Sequence, residues 1–152
     1  MIDLRWLMPA VDSALYAGER RLRYEVLRKP LGMAPGSEEN LAEARCEHCV
    51  AVDQGTGAVV GCVLWLADEG APAAAGKLLQ MAVADDQRGK DIGRRLVHEL
   101  ERHVAAGGVR EVRMHARETA LGFYLKLGYR VTGAPFTEVG LAHRLMQRNL
   151  LD

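Results

Sequence analysis

The chain has 152 residues, enough for one domain with a single well-buried core and too few for two ordinary ones. Twenty Lys and Arg against twenty Asp and Glu leave no net field to gather phosphates in bulk, so no nucleic-acid partner is expected and any basic site must be local. No apolar run approaches the length of a membrane span, and Asp3 and Arg5 break the first apolar stretch in a way no signal or transit peptide does, so the expectation is a cytoplasmic protein without a membrane partner.

"MIDLRWLM" alternates apolar and polar residues as a first strand would. From Val11, apolar residues at Leu15, Leu22 and Val26 among many charges predict an amphipathic helix ending before Pro30. "GMAPGSEEN", residues 32 to 40, has no periodicity and reads as a loop, and its Glu38 and Glu39 hint at a cationic substrate. "HCVAVDQGTGAVVGCVLWLAD" contains two β-branched apolar runs joined at "QGTG", a hairpin signal. After a connection of small residues over 69 to 76, "KLLQMAVAD" resumes strand character, so strands two to four form an antiparallel meander.

After Asp91 the positions Ile92, Leu96, Val97, Leu100 and Val104 keep helical spacing until Gly107 and Gly108, which predict its stop. "VREVRMHA" follows as a strand. "ETALGFYLKLG" then sets Ala120, Phe123, Tyr124 and Leu127 on one helical stripe closed by Gly128, and "YRVTG" and "LAHRLMQRNL" end the chain as strands. This order predicts an α+β layered domain over residues 1 to 152 around one mixed sheet.

The three cysteines are few, odd in number and suited to a reducing compartment. "CEHC", with Cys46, His48 and Cys49, resembles half of a zinc site, but the remaining cysteine, Cys62, lies in an apolar run without a second C-x-x-C. Small buried side chains are the better reading, and no metal is expected.

"DDQRGKDIGRRLV", residues 85 to 97, gathers Arg88, Lys90, Arg94 and Arg95 around Gly89 and Gly93 just ahead of the longest helix. A helix start leaves its first N–H groups unpaired, glycines allow an anion to come close, and the dipole and local bases add favourable potential. The segment is not a P-loop, because Gly93 is followed by Arg94 rather than by Lys and a hydroxyl residue. Nor does it match a dinucleotide G-x-G-x-x-G turn, which would follow the first strand rather than the fourth. The expected ligand is a pyrophosphate held by another kind of loop.

These residues resemble the GNAT N-acetyltransferase family. "MAVADDQRGKDIGRRL" matches its acetyl-CoA block with Gln87, Arg88, Gly89, Lys90, Ile92 and Gly93, and "ALGFYLKLGY", residues 120 to 129, matches its second block. "LRYEVLRKPLG" (22 to 32) and "PFTEVGLAH" (135 to 143) resemble the substrate loop and closing hairpin of a bacterial subgroup. The resemblance implies a GNAT-like fold, a mostly antiparallel sheet flanked by helices and splayed between strands four and five near Met81 and Val83. It also implies acetyl-CoA as cosubstrate, an amine on a small molecule or peptide as acceptor, direct transfer in a ternary complex, and a homodimer as a common assembly.

Residue by residue, the resemblance implies cofactor contacts at Met81, Ala82, Val83, Gln87, Arg88, Gly89, Lys90, Asp91, Ile92, Gly93, Arg94 and Phe123, and a general acid at Tyr124. The family's frequent glutamate on strand four is replaced by the stretch Leu78, Leu79, Gln80, so the base is sought among Glu138, His143, His115 and a water chain. Two positions depart from the family pattern. Asp91 stands where the family has a glycine. It tolerates positive φ and is a good N-cap, but its carboxylate at about 6 Å from a phosphate would repel it by roughly 3 kcal/mol at an effective dielectric of ~20, so the side chain must turn away, held by Arg94, Arg95 or Lys90. Arg117 stands where many relatives have a cofactor-contacting Asn. Both departures support the alternative of an acyl-CoA-binding sensor or subunit without turnover.

Overall fold

The computed structural model describes residues 1–70 and 73–151. Among them the chain runs β1 (Ile2–Leu7), α1 (Ser13–Leu27), β2 (Glu47–Asp53), β3 (Val59–Ala67), β4 (Ala75–Val83), α2 (Ile92–Ala106), β5 (Glu111–Arg117), α3 (Leu121–Lys126), β6 (Arg130–Val131), β7 (Phe136–Glu138) and β8 (Leu141–Asn149). The order agrees with the sequence reading, with β7 as an added short strand. β4 begins two residues before "KLLQMAVAD", and the connection predicted over 69 to 76 includes residues 71 and 72, which lie outside the described residues.

The strands form one sheet in the order β1-β2-β3-β4-β5-β8-β6, with β7 also paired to β8. Its pairings are antiparallel except for β4 with β5. The central strands are covered on both faces, which is why they read as continuous apolar runs rather than alternating ones. Cys49 and Ala51 of β2 and Val63 and Trp65 of β3 pack under α2 with Ile92, Leu96, Leu100 and Val104, while Val50, Val52 and Cys62 face α1 with Leu22.

Helix endings are set by two glycines. At the end of α2, Gly108 has φ +95°, its N–H donates to Ala105 O and the Val109 N–H donates to Val104 O. At the end of α3, Gly128 has φ +94°, with Gly128 N–H to Leu125 O and Tyr129 N–H to Tyr124 O. Both are Schellman motifs, in which a residue at positive φ lets the final N–H groups turn back onto orphan carbonyls. The second one fixes the backbone of Tyr124.

β4 and β5 pair over only three positions, Ala75–Glu111, Gly76–Val112 and Lys77–Arg113, and then separate. The predicted splay is therefore present, but it opens at Leu78, earlier than the Met81–Val83 stretch where it was expected. Beyond that point β4 carries a bulge, since Cys62 faces Ala82 and Leu64 faces Leu79, leaving Gln80 and Met81 opposite Val63. Gln80 sits at φ +47°, an uncommon conformation for a residue other than glycine. Its side chain anchors the long loop, with Nε2 donating to Glu38 O at 2.7 Å and Oε1 accepting from Asn40 Nδ2 at 3.3 Å.

Candidate active site

The gap between β4 and β5 has two ends. At one, the loop after β4 turns through Gly89 (φ +80°) and Asp91 (φ +68°) into α2. The first bond of the helical ladder runs from Arg95 N–H to Asp91 O, so the N–H groups of Ile92, Gly93 and Arg94 precede the ladder, and no side chain caps them. A Cβ on Gly93 would lie 3.2 Å from Phe123 Cζ and 3.6 Å from Met81 Cε, so the helix start, α3 and the bulged strand meet where a glycine fits without displacing Phe123. These features fit an anion such as the pyrophosphate of coenzyme A.

Asp91 takes the positive φ its position demands but not the capping role. Its carboxylate instead accepts from Arg94 Nε at 2.7 and 2.9 Å and from Arg94 Nη2, which lowers its pKa through that hydrogen bond. The side chain thus turns to Arg94, as the electrostatic argument required. In consequence Arg94 is held by Asp91, Arg88 pairs with Asp85 at 3.2 Å, and Lys90 donates to Gln87 Oε1 at 3.1 Å. Ile92 is buried in the core, so that only its backbone is available to a ligand; Ala82 is likewise buried, on the α1 side.

At the other end lies a cleft of about 290 Å³, lined by the end of α1 (Leu27, Arg28), Asn40, the splayed part of β4 from Leu78 to Met81, the last residues of β5, Tyr124 and the closing hairpin. Residues 87 to 94 do not line it. Met81 links the two ends, because it lines the cleft and packs toward Gly93. Tyr124 is buried, with its ring edge-on to Phe123 and Tyr129, and burial raises its pKa so that the hydroxyl stays protonated.

The hairpin brings the candidate bases together. Glu138 and Leu141 pair across the two-residue turn Val139-Gly140, both at positive φ (47° and 75°), as in a type I′ hairpin. β8 places His143 opposite Phe136 on one side and Arg117 on the other. His143 is buried, and its Nδ1 lies 2.9 Å from Leu141 O. A carbonyl only accepts, so Nδ1 carries a hydrogen here and Nε2 is the ring nitrogen left for other partners. Glu138 Oε2 lies 3.7 Å from that Nε2, and its Oε1 accepts from His115 Nδ1 at 2.9 Å. Tyr124, Glu138, His143 and His115 therefore share one cleft.

Glu38 and Glu39 do not reach it. Glu38 is buried and accepts from Arg20 Nε at 2.8 Å, and Glu39 lies 3.9 Å from the same guanidinium, which removes the hint of a cationic substrate drawn from them. Glu39 is exposed, whereas Glu38 belongs to a polar layer beneath the long loop. There the fully buried Arg23 bonds Glu19 at 2.9 Å and Glu43 at 2.7 and 2.8 Å, and His48 Nδ1 bonds Glu19 at 2.9 Å. Burial opposes the charge of Glu43, but the bonds from Arg23 and Tyr16 outweigh it and hold its pKa down to about 2. Ligand atoms of Glu19, Glu43 and His48 lie within 4.8 Å of one another, yet Arg23 already supplies the positive charge between the carboxylates. The cysteines of "CEHC" are free thiols, with Cys49 buried against α2 and burial raising its pKa to about 12.

Residues 33–150 match the family model of the acetyltransferase (GNAT) domain, and the chain belongs to that family. The match spans about half the length of the first curated relatives. YjcF of Bacillus subtilis (strain 168), an uncharacterized N-acetyltransferase, is 30% identical over 129 residues, 84% of this chain and 88% of that protein. Among solved structures, Escherichia coli ElaA superposes with a TM-score of 0.78 at 20% identity, covering 97% of this chain and 99% of its own. An aminoglycoside 6'-N-acetyltransferase complexed with coenzyme A gives 0.77 at 20% identity, covering 99% and 97%. At such identity these structures establish the fold alone, a mostly antiparallel α+β GNAT sheet opened between β4 and β5.

Sequence reasoning missed Gln80, Asn40 and Arg28. A bulge has no compositional signature, and an arginine at a helix end carries no sign of what it faces.

Proposed function

We infer that the chain transfers an acetyl group from acetyl-CoA to a primary amine of a small molecule or peptide, by direct attack in a ternary complex. The observation that carries this reading is the splay: one gap in the sheet opens at one end onto the uncapped start of α2 and at the other onto a cleft with a proton acceptor and a hydroxyl donor. Membership of the GNAT family supports the choice of cosubstrate.

Acetyl-CoA supplies an activated acyl group as a thioester. The N–H groups of Ile92, Gly93 and Arg94 receive the pyrophosphate, and Gly93 lets it approach. An ammonium ion cannot attack, so His143 Nε2 takes its proton, and the carboxylate of Glu138 at 3.7 Å stabilises the imidazolium that results. The amine then forms the C–N bond as the C–S bond breaks, and the second proton that its nitrogen gives up leaves with the sulfur, which departs as the CoA thiol while the first proton on His143 is returned to solvent. Tyr124, kept neutral by burial, donates a hydrogen bond to the departing sulfur. Raising its pKa disfavours full loss of the phenolic proton, so the hydroxyl acts as a donor that stabilises developing charge.

The test is thiol release from acetyl-CoA in the presence of a broad panel of primary amines. Acetylated amine formed in proportion to released thiol supports the reading. Micromolar binding of acetyl-CoA with no amine-dependent release from any member of the panel would favour a binding module instead.

A further inference from the structure

The last carbonyls of a helix lack partners within it. At the end of α1, Leu27 O accepts from two guanidinium groups, Arg28 Nη1 at 3.2 Å and Arg117 Nη2 at 2.9 Å, and Arg28 Nε also donates to Ser37 O at 3.3 Å. One oxygen thus pins an arginine from each side of the splay, and both line the cleft. Capping of α1 accounts for these bonds but not for the charges. A guanidinium has five N–H donors, and these bonds use two on Arg28 and one on Arg117.

Two other arginines of α1 that are not fully exposed are treated differently. Arg20 is bound by Glu38, and Arg23 by Glu19 and Glu43. Among the described residues no carboxylate makes an ion pair with Arg28 or Arg117, and Glu138, the carboxylate lining the cleft, is engaged with His115 and faces His143. Burial, followed by the charges of Arg117 and Arg23, lowers the pKa of Arg28, with Glu138 and Glu38 opposing; burial likewise lowers that of Arg117 against Glu138. Two half-buried cations fixed beside each other leave a positive potential that an anion would relieve.

We propose that Arg28 and Arg117 form an anion-binding end of the acceptor cleft, so that the acceptor amine also carries a carboxylate or phosphate group. The planar guanidinium matches either group through paired N–H donors. The substrate class is then an amino-acid-like zwitterion, with its nitrogen toward His143 and Glu138 and its anion toward the two arginines. This assignment rests on the acetyl-transfer reading and narrows it.

Two measurements test it separately from that reading. In the first, kcat/KM is determined for the proteinogenic amino acids, each beside its carboxamide, and for O-phosphoethanolamine beside ethanolamine. The anionic member of at least one pair should be favoured at least about tenfold, and the pair concerned tells carboxylate from phosphate. That preference should collapse toward unity in Arg117→Met and in Arg28→Met, and be partly kept in Arg117→Lys, with melting temperature and CoA affinity as controls of folding. Equal or better use of the neutral partners, or a preference that survives both Met variants, overturns the proposal.

In the second, N-acetylglycine, O-(phosphono)-N-acetylethanolamine and N-acetylglycinamide are titrated into the CoA-bound protein by calorimetry, which requires no turnover. Tighter binding of either anionic product, lost in Arg117→Met, supports the anion site even if no amine is acetylated, an outcome that would sink only the transfer reading. Binding no tighter than that of the carboxamide would overturn the site.

Discussion

The two ends of the gap between β4 and β5 are built from opposite materials. The loop end is one continuous stretch of chain that offers backbone N–H groups, and two of its bases are paired within it at the surface, Arg94 with Asp91 and Arg88 with Asp85. The cleft end is assembled from side chains of α1, β5, α3 and the closing hairpin, among them the buried His143 and Tyr124. The first therefore tolerates a change of side chain provided the backbone path is kept. If the cleft performs the transfer proposed above, the second depends on individual functional groups and should tolerate few changes.

The larger effects should come from the cleft. Tyr124→Phe retains the ring that packs against Phe123 and Tyr129 and removes only the hydroxyl, so kcat should fall about ten- to a thousandfold with CoA affinity little changed. Unaltered kcat in steady-state assays from pH 6 to 9 would return the residue to a packing role. At the loop end the sensitive position is a glycine. Gly93→Val puts a Cβ 3.2 Å from Phe123 Cζ and adds two methyls at the start of α2, and should weaken CoA about ten- to a hundredfold by calorimetry while the fold persists. Unchanged affinity in the folded variant would move the pyrophosphate elsewhere.

Asp91→Gly should matter far less, although it lies two residues away. Residues 85 to 95 carry four bases against three acids, so the change raises a net charge of +1 to +2 and keeps the left-handed backbone without strain. No capping bond is lost. CoA binding should stay within about fivefold of wild type or tighten, since exposed charges are screened. Strong weakening would show that the Asp91–Arg94 pair shapes the loop. The smallest effect concerns Val139, a β-branched residue at φ +47° on the rim of the cleft. Asn is suited to that turn position, so Val139→Asn should stabilise the protein by about 1 kcal/mol in urea unfolding. Destabilisation would mean that valine's contacts outweigh the strain.

The same contrast explains what could be read from the sequence. The loop is local, so Gly89, Asp91 and Gly93 reveal it by spacing alone, and the stops of α2 and α3 are written in Gly108 and Gly128. Tyr124, Glu138 and His143 came to notice through two short blocks and a hairpin, but their meeting depends on β8 lying between β5 and β7. Arg28 and Arg117 are 89 positions apart and meet at Leu27 O, a contact that no period or motif encodes. Glu38 misled for the same reason, because its partner Arg20 lies on α1, outside the loop.

The central claim is that His143, held by Leu141 O with Nε2 free, accepts the proton of the incoming amine. It is tested most directly by the pH dependence of kcat/KM for a confirmed acceptor in wild type and in His143→Gln. The account predicts a loss of kcat/KM toward acid pH in the wild type that depends on the presence of His143. The variant should be slower by about a hundred- to ten-thousandfold at neutral pH and should lack that limb. A variant that keeps both the wild-type rate and the acid limb would contradict it.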